Sequence, residues 1–424
     1  MMNDLDSCDV LIIGAGPAGL AAALAAAPTS KRIVLVDDNP APGGQIWRDG
    51  PGVVLPQNVK RHREALLQHT NIKLVSGTRL VAVTGHKQVL LEDAEQGWHL
   101  RYDKAILCTG ARELLLPFPG WTLPGVTGAG GLQALIKGGL SVRGERIVVA
   151  GSGPLLLAVA ATAQAAGAKV LRVAEQAPLS QVAAFTGTLL RWPSKAVQAL
   201  SLVQIGYRTS SFVLAASGQG HLASVRLQQG GKTVDLACDR LACGFGLVPN
   251  TQIGQALGCA LNADQAIAVD DWQACSQADH FAAGECTGFG GGERAWVQGQ
   301  IAGLAAVGQQ AQAQALWPSR QRWDAFAVSL KQHFALQNAV KHLAEPDTLV
   351  CRCEDVRYSQ VADCSSWIEA KLTTRCGMGA CQGRLCGAAT QHLFGWTPPV
   401  PRMPLAPTRI SSLMQKPVKI DRSE

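Results

Sequence analysis

Charge is scarce in this chain. Asp, Glu, Lys and Arg make up 16% of its 424 residues, and no block of like charges occurs. The net charge of +7 is therefore spread thinly, and nucleic acid is not an expected partner. No stretch offers the roughly 20 continuous apolar residues that a membrane helix needs. The first apolar run is broken by Gly14, Gly16 and Gly19 and follows an acidic start, Met1 to Asp6, so no targeting segment is expected. A C-x-x-C pair is missing as well, which leaves no redox dithiol of that spacing and lacks the knuckles of a zinc ribbon. The thirteen cysteines form an odd set without a secretory leader, so a reducing cytoplasm is expected rather than a disulfide framework.

What the chain does have is glycine and apolar residues. With 45 glycines and 47% hydrophobic residues it reads as a compact α/β protein of two or three domains. Asp9 to Ile13 is an apolar strand that enters Gly14-Ala15-Gly16-Pro17-Ala18-Gly19 and then an alanine-rich helix. A second strand, Ile33 to Val36, ends at Asp37. In this β-turn-α-β context Gly14 allows the tight turn, Gly16 lets backbone approach a pyrophosphate, and Gly19 permits close helix packing. The helix N-terminus, from Pro17 and Ala18, then faces the phosphates. Asp37 is the acid expected to meet a ribose, with Asp38 past the strand end and less suited.

Three further elements point to FAD. Pro42-Gly43-Gly44-Gln45 is a loop small enough to pass over a flavin. Thr109-Gly110 closes a strand, and Gly284-Glu285 ends another before a glycine loop and helix. Each alone is compatible with a plain turn; their order along one chain is what carries the reading.

A second unit opens at Arg146 to Ala150, turns at Gly151-Ser152-Gly153-Pro154 and closes its next strand at Glu175. Leu156 stands where a third glycine would allow the tightest helix approach. Two readings remain open for it: an NADH site, with Glu175 on a 2′-hydroxyl, or a dinucleotide fold that binds no nicotinamide. Cys8, Cys108, Cys238, Cys243, Cys259, Cys275 and Cys286 are scattered and expected as buried thiols. The histidines have no motif context, and no acid–base pair for substrate oxidation can be assigned.

Six cysteines fall between residues 351 and 386, in Cys351-Arg-Cys353, Cys364 and Cys376-Gly-Met-Gly-Ala-Cys381-Gln-Gly-Arg-Leu-Cys386. Thiolates this dense select zinc or an iron–sulfur cluster. Setting aside Cys364, in a polar stretch, five candidates compete for four ligand places. Arg375 and Arg384 lie near enough to offset a cluster's charge.

Several strings resemble one family. They are Leu107-Cys-Thr-Gly-Ala-Arg-Glu113, Pro117-Phe-Pro-Gly-Trp-Thr-Leu-Pro-Gly-Val126, Gly128-Ala-Gly-Gly-Leu-Gln-Ala134, Gly246-Leu-Val-Pro-Asn250 and Gly377-Met-Gly-Ala-Cys-Gln-Gly-Arg-Leu-Cys386. The family is the FAD-containing α subunits of heteromeric amino- and imino-acid dehydrogenases, the group of D-hydroxyproline dehydrogenase, opine oxidase and hydrogen cyanide synthase. The resemblance implies a two-dinucleotide-binding-domain (Rossmann-like) flavoprotein with a small C-terminal [2Fe–2S] domain of the bacterioferritin-associated-ferredoxin (BFD) type. Its cluster ligands would be Cys351, Cys353, Cys381 and Cys386, leaving Cys376 spare. The expected domains are residues 1–122 and 241–330 for FAD, 123–240 for the NAD-like unit, 331–400 for the cluster and 401–424 as a tail; the Pro-rich stretch from Pro398 to Pro407 is expected to be extended and packed on a neighbour.

The resemblance also implies a division of labour. A β subunit of the amine-oxidase-like flavoprotein class, with a possible small γ subunit, would oxidise the substrate's C–N bond. This chain would pass the electrons to a respiratory acceptor, from the cytoplasm or from a position held by its partners at the inner membrane. The substrate, D-hydroxyproline, an opine or a similar compound, would be selected in the partner. The competing expectations are a stand-alone NAD(P)H-dependent reductase of a ferredoxin-like acceptor and a redox sensor or assembly scaffold.

Overall fold

The computed structural model describes residues 6–202, 205–397 and 399–415. Met1 to Leu5 and the end of the tail, 416–424, lie outside the described residues.

The first unit is built on Ser7–Ile13, a strand whose apolar stretch from Val10 to Ile13 is buried on both faces. It pairs in parallel with Ile33–Val36 on one side and with the long strand Gly97–Leu107 on the other. Ile72–Val75 extends the sheet beyond Ile33–Val36, and Gln88–Glu92 and Arg79–Gly85 add an antiparallel pair at the far edge. His280–Ala282, nearly two hundred residues downstream, also pairs with Gly97–Leu107, with Phe281 opposite Ile106. The first sheet is thus built from two separated stretches of the chain. Behind the sheet, helix Pro17–Ala26 lies against helix Gly291–Ala306. They approach closely because Gly299 and Gly303 face the Ala18 and Ala22 carbonyls, where a Cβ would fall 2.1 and 2.3 Å from oxygen.

The second unit has five parallel strands in the order Tyr207–Arg208, Lys169–Glu175, Arg146–Gly151, Arg240–Gly244 and Val126–Gly128. A three-stranded antiparallel sheet, Ser211–Ser217, Ser224–Gln229 and Lys232–Ala237, covers it. Arg240–Gly244 belongs wholly to this sheet, so the return to the first unit falls after Gly244 and not at 241. The return is made by Leu247–Pro249, paired antiparallel with Ala111–Glu113.

The cysteine-rich segment packs around its own small core. Val350, Cys351, Val356, Val361, Trp367, Cys376, Cys386 and Trp396 are all buried there. Over residues 399–415 the tail that follows lies on the first sheet of its own chain. Leu405 N–H donates to Val81 O at 2.7 Å, and Arg409 donates to the Asp93 and Ala94 carbonyls.

Candidate functional site

The first turn admits glycine alone at two positions. Gly14 has φ +102°, and a Cβ there would fall 2.2 Å from Cys108 O. A Cβ on Gly19 would sit 1.8 Å from Gly14 O, so the helix presses directly on the turn. Gly16 is the N-cap of that helix and offers no side-chain cap, and Pro17 occupies the first helical position. The first free N–H groups therefore remain available to an anion. The loop with Gly44 lies on this turn: Gly43 N–H donates to Ala15 O at 2.7 Å, and a Cβ on Gly44 would come 2.9 Å from Gly16 Cα. Gln45 accepts from Arg48 Nε, which fixes the loop's outer end.

Thr109 and Gly110 stand beside the same turn and are tied to Asn250. The Thr109 hydroxyl donates to Asn250 O, Asn250 Nδ2 to Thr109 O, and Asn250 N–H to Gly110 O. Gly284 has φ +82° and packs on Ala18, its N–H donating to Gln298 Oε1 at 2.9 Å. The structure thus brings Gly14, Gly16, Pro17, Ala18, Gly19, Gly44, Thr109, Gly110 and Gly284 into one place.

Glu285 follows at the start of a short turn. Burial raises its carboxyl above the usual range, with Arg294 opposing. Among the described residues no hydrogen-bond donor meets that carboxylate, and Arg294 donates instead to Gly288 O and Asp324. Half-buried and unused by the protein's own donors, the carboxylate is free to accept from a ligand's hydroxyls. Together with the uncapped helix, it fits a phosphate-bearing polyol such as FAD.

The two acids at the strand end are placed differently. Asp37 is buried, and both its oxygens are already committed: Oδ2 accepts from Ala15 N–H, and Oδ1 from Asn39 N–H and Nδ2. It holds the turn to the strand. Asp38 is exposed and accepts only a long hydrogen bond from Asn39 Nδ2, so it is the acid with oxygens to spare. Lying past the strand end, the reason for discounting Asp38, is what frees its side chain.

The second turn repeats this plan and then closes it. Glu175 is fully buried and accepts from Gly153 N–H, 22 residues away in sequence, as Asp37 accepts from Ala15 across 22 residues. Its other oxygen accepts from Ala177 N–H. Burial pushes the Glu175 carboxyl up to about 7. Gln176 occupies the place corresponding to Asp38, and it is fully engaged by residues 334–337. Gln176 Nε2 donates to Ala335 O, and Gln337 N–H donates to Gln176 Oε1 at 2.9 Å. Ser152 in the turn donates to Phe334 O at 2.8 Å, and the Phe334 ring lies 3.8 Å from where a Gly153 Cβ would be. The chain's own segment covers the face that a pyrophosphate would approach.

Five thiols gather in the cysteine-rich segment. The sulfurs of Cys351, Cys376 and Cys386, all buried, lie within 4.8 Å of one another. Cys353, exposed, and Cys381, half-buried, are the other two thiols of the segment's C-x-C and C-x4-C pairs. Cys364 stands apart, beside Gln360 and Thr373. Hydrogen bonds from Cys376 and Cys386 hold the Cys351 thiol well below its usual range. The same partnership pushes Cys376 up to about 12 and Cys386 up as well. A nest of thiols sharing charge in this way has the donor chemistry for a thiophilic metal or cluster, and Cys376, set aside by the family pattern, lies inside it.

Arg112 joins the two centres. It comes from the strand after Gly110; its Nε donates to Arg384 O, between Cys381 and Cys386, and its Nη1 to Pro249 O and Asn250 Oδ1. Burial and the nearby Arg384 lower its guanidinium to about 10, and no carboxylate among the described residues pairs with it. Sequence reading missed Arg112, because nothing local marks it. Nearby, a cavity of about 730 Å³ is lined by Arg48, by Thr127, Gly128, Gly131 and Leu135 of the second unit, and by Arg352. Beside it, Glu113 accepts from the Gly130 and Gly131 N–H groups at a helix start.

The pyridine nucleotide-disulphide oxidoreductase family model matches residues 8–315. The HcnB component of hydrogen cyanide synthase from Pseudomonas protegens is 32% identical, covering 96% of this chain and 97% of that protein. An opine oxidase subunit of Rhizobium meliloti is 30% identical, covering 92% of each. Among solved structures, L-proline dehydrogenase from P. horikoshii superposes with a TM-score of 0.68 at 18% identity, over 96% of this chain and 80% of that one.

Proposed function

This chain belongs to the pyridine nucleotide-disulphide oxidoreductase family and is an FAD-dependent oxidoreductase, and on that premise we propose that it is the electron-transferring subunit of a heteromeric dehydrogenase. The complex would oxidise an amino or imino acid, such as D-hydroxyproline or an opine, in a β subunit of the amine-oxidase-like flavoprotein class. The observation that carries this reading is the Arg112 connection between the first dinucleotide turn and the thiol nest. The similar proteins are themselves named as subunits of hydrogen cyanide synthase and opine oxidase, which supports a partnered role.

A bound flavin accepts electrons in pairs and an iron–sulfur cluster passes them singly, and this is the chemistry these groups supply. The chain's own residues bind and orient. Gly14, Gly16 and the helix from Pro17 would take the pyrophosphate, Asp38 a ribose, and Glu285 a ribityl hydroxyl. Cys351, Cys353, Cys381 and Cys386 would hold a [2Fe–2S] cluster. Arg112 and Arg384 would offset the charge added at both centres. No helix among the described residues is long and apolar enough to cross a membrane, so any position at a membrane would be lent by the partners.

The second reading, an NAD(P)H-dependent reductase, is disfavoured by residues 334–337 lying on the second turn. Rapid mixing separates the two. The purified chain is expected to keep its flavin absorbance on addition of NADH, and to lose it on addition of amino-acid substrate only when co-expressed with a β subunit. Fast bleaching by NADH, or substrate oxidation by the lone chain, would overturn the proposal.

A further inference from the structure

The thiol nest has one more donor than a two-iron cluster uses, and the surplus is all on one side. A tetrahedral metal with bonds of ~2.3 Å to sulfur sets two of its thiolates about 3.8 Å apart. Thiolates on different irons of a cluster stand farther apart than that. Cys351, Cys376 and Cys386 all lie within 4.8 Å of one another, so the three crowd around a single metal position. Cys353 and Cys381 remain outside this trio, and Gly379 packs so tightly on Cys353 that a Cβ there would lie 2.2 Å from the cysteine's own. An iron held on the outer side would thus have two thiols for its two places, and one held on the inner side would have three.

Cys376 is not a loose neighbour of this trio. It is fully buried, and its N–H donates to Thr374 Oγ1. The next residue, Gly377, has φ +79° and lies so close to the Trp367 ring that a Cβ would come within 2.5 Å; Gly383 is braced on the same ring. The loop that carries Cys376 is fixed by the same tryptophan that fixes the approach to Cys386.

We infer that Cys376 is a reserve ligand for the inner iron, able to replace Cys386; this rests on the two-iron reading proposed above. The exchange is balanced: one iron–sulfur bond to Cys386 breaks, one to Cys376 forms, and the proton on the Cys376 thiol passes to Cys386. No electron or outside reagent is needed.

The test uses the full chain purified without oxygen, as wild type, Cys376→Ser, Cys386→Ser and the double variant. Iron and sulfide content, visible absorbance and the low-temperature paramagnetic spectrum after dithionite are measured. Cys386→Ser is expected to keep two irons per chain with a shifted spectrum, and the double variant to lose them. A Cys386→Ser chain that keeps its flavin but is as empty of iron as the double variant would overturn the inference. Should Cys386→Ser fail to fold, the conservative Cys376→Ser variant decides. It is expected to hold a full cluster but to release it several-fold faster to a chelator, and a release rate equal to wild type overturns the inference. Wild type carrying zinc, or no metal, would instead remove the two-iron reading on which it rests.

Discussion

The two dinucleotide turns of this chain share a plan and differ in what meets them. In both, a buried acid at the end of the second strand reaches back 22 residues to a backbone N–H of the turn. In the first, the next residue is Asp38, which faces solvent; in the second it is Gln176, which holds residues 334–337 in place. The helix of the first turn is pressed on by Gly19, whereas the second carries Leu156, buried against Gly244 and the second core. An acid at the end of the strand is therefore a brace for the turn, and nucleotide binding depends on whether the neighbouring position and the helix start stay open.

The largest effect that would sharpen this contrast comes from Gly19→Ala. Its Cβ would meet Gly14 O, so about 3 kcal/mol or more of stability and the bound flavin should both be lost. Leu156→Ala should instead leave the flavin content unchanged. Absorbance at the flavin band per mole of chain reads the difference, and flavin retained in Gly19→Ala would break the comparison.

A comparable effect is expected from Glu175→Gln, and its sign depends on pH. The folded-state pKa is raised from 4.5 to about 7, so the carboxyl's favourable contribution is complete below about 4.5 and is lost as pH rises through about 7. Relative to the variant, wild type should lose about 3 kcal/mol between pH 4 and pH 8. Paired thermal melts at the two pH values measure it; a difference that does not change with pH would mean the carboxyl stays charged when buried.

The smallest effect separates the residues after the two acids. Asp38→Ala should weaken flavin binding about tenfold, roughly 1.4 kcal/mol, while Gln176→Ala should leave it unchanged. If Asp37→Asn weakened flavin binding with no loss of stability and Asp38→Ala did not, the ribose contact would belong to Asp37 after all.

Much of this was legible from local patterns. Gly14, Gly16 and Gly19 sit in a strand–turn–helix context that sequence spacing alone reveals, and the strand His280–Ala282 was readable from its apolar run into Gly284. The different settings of Asp37 and Asp38 were not, because they depend on which carboxylate the turn's own N–H groups consume. The closure of the second turn was invisible for another reason. Phe334 and Gln337 lie some 180 residues from Ser152 and 160 from Gln176 and carry no motif. The family pattern passes over Cys376, while its burial beside Cys351 and Cys386 is a fact of the fold.

The cysteine-rich segment is fastened at both of its ends. Residues 334–337 dock on the second unit before the segment begins, and beyond it Leu405 accepts from Arg384 and donates to Val81 of the first. A segment anchored in this way cannot swing out as a mobile shuttle does. In the proposed electron-transfer role it would be a fixed terminal, and a redox partner would have to come to its outward corner, where Cys353 meets solvent.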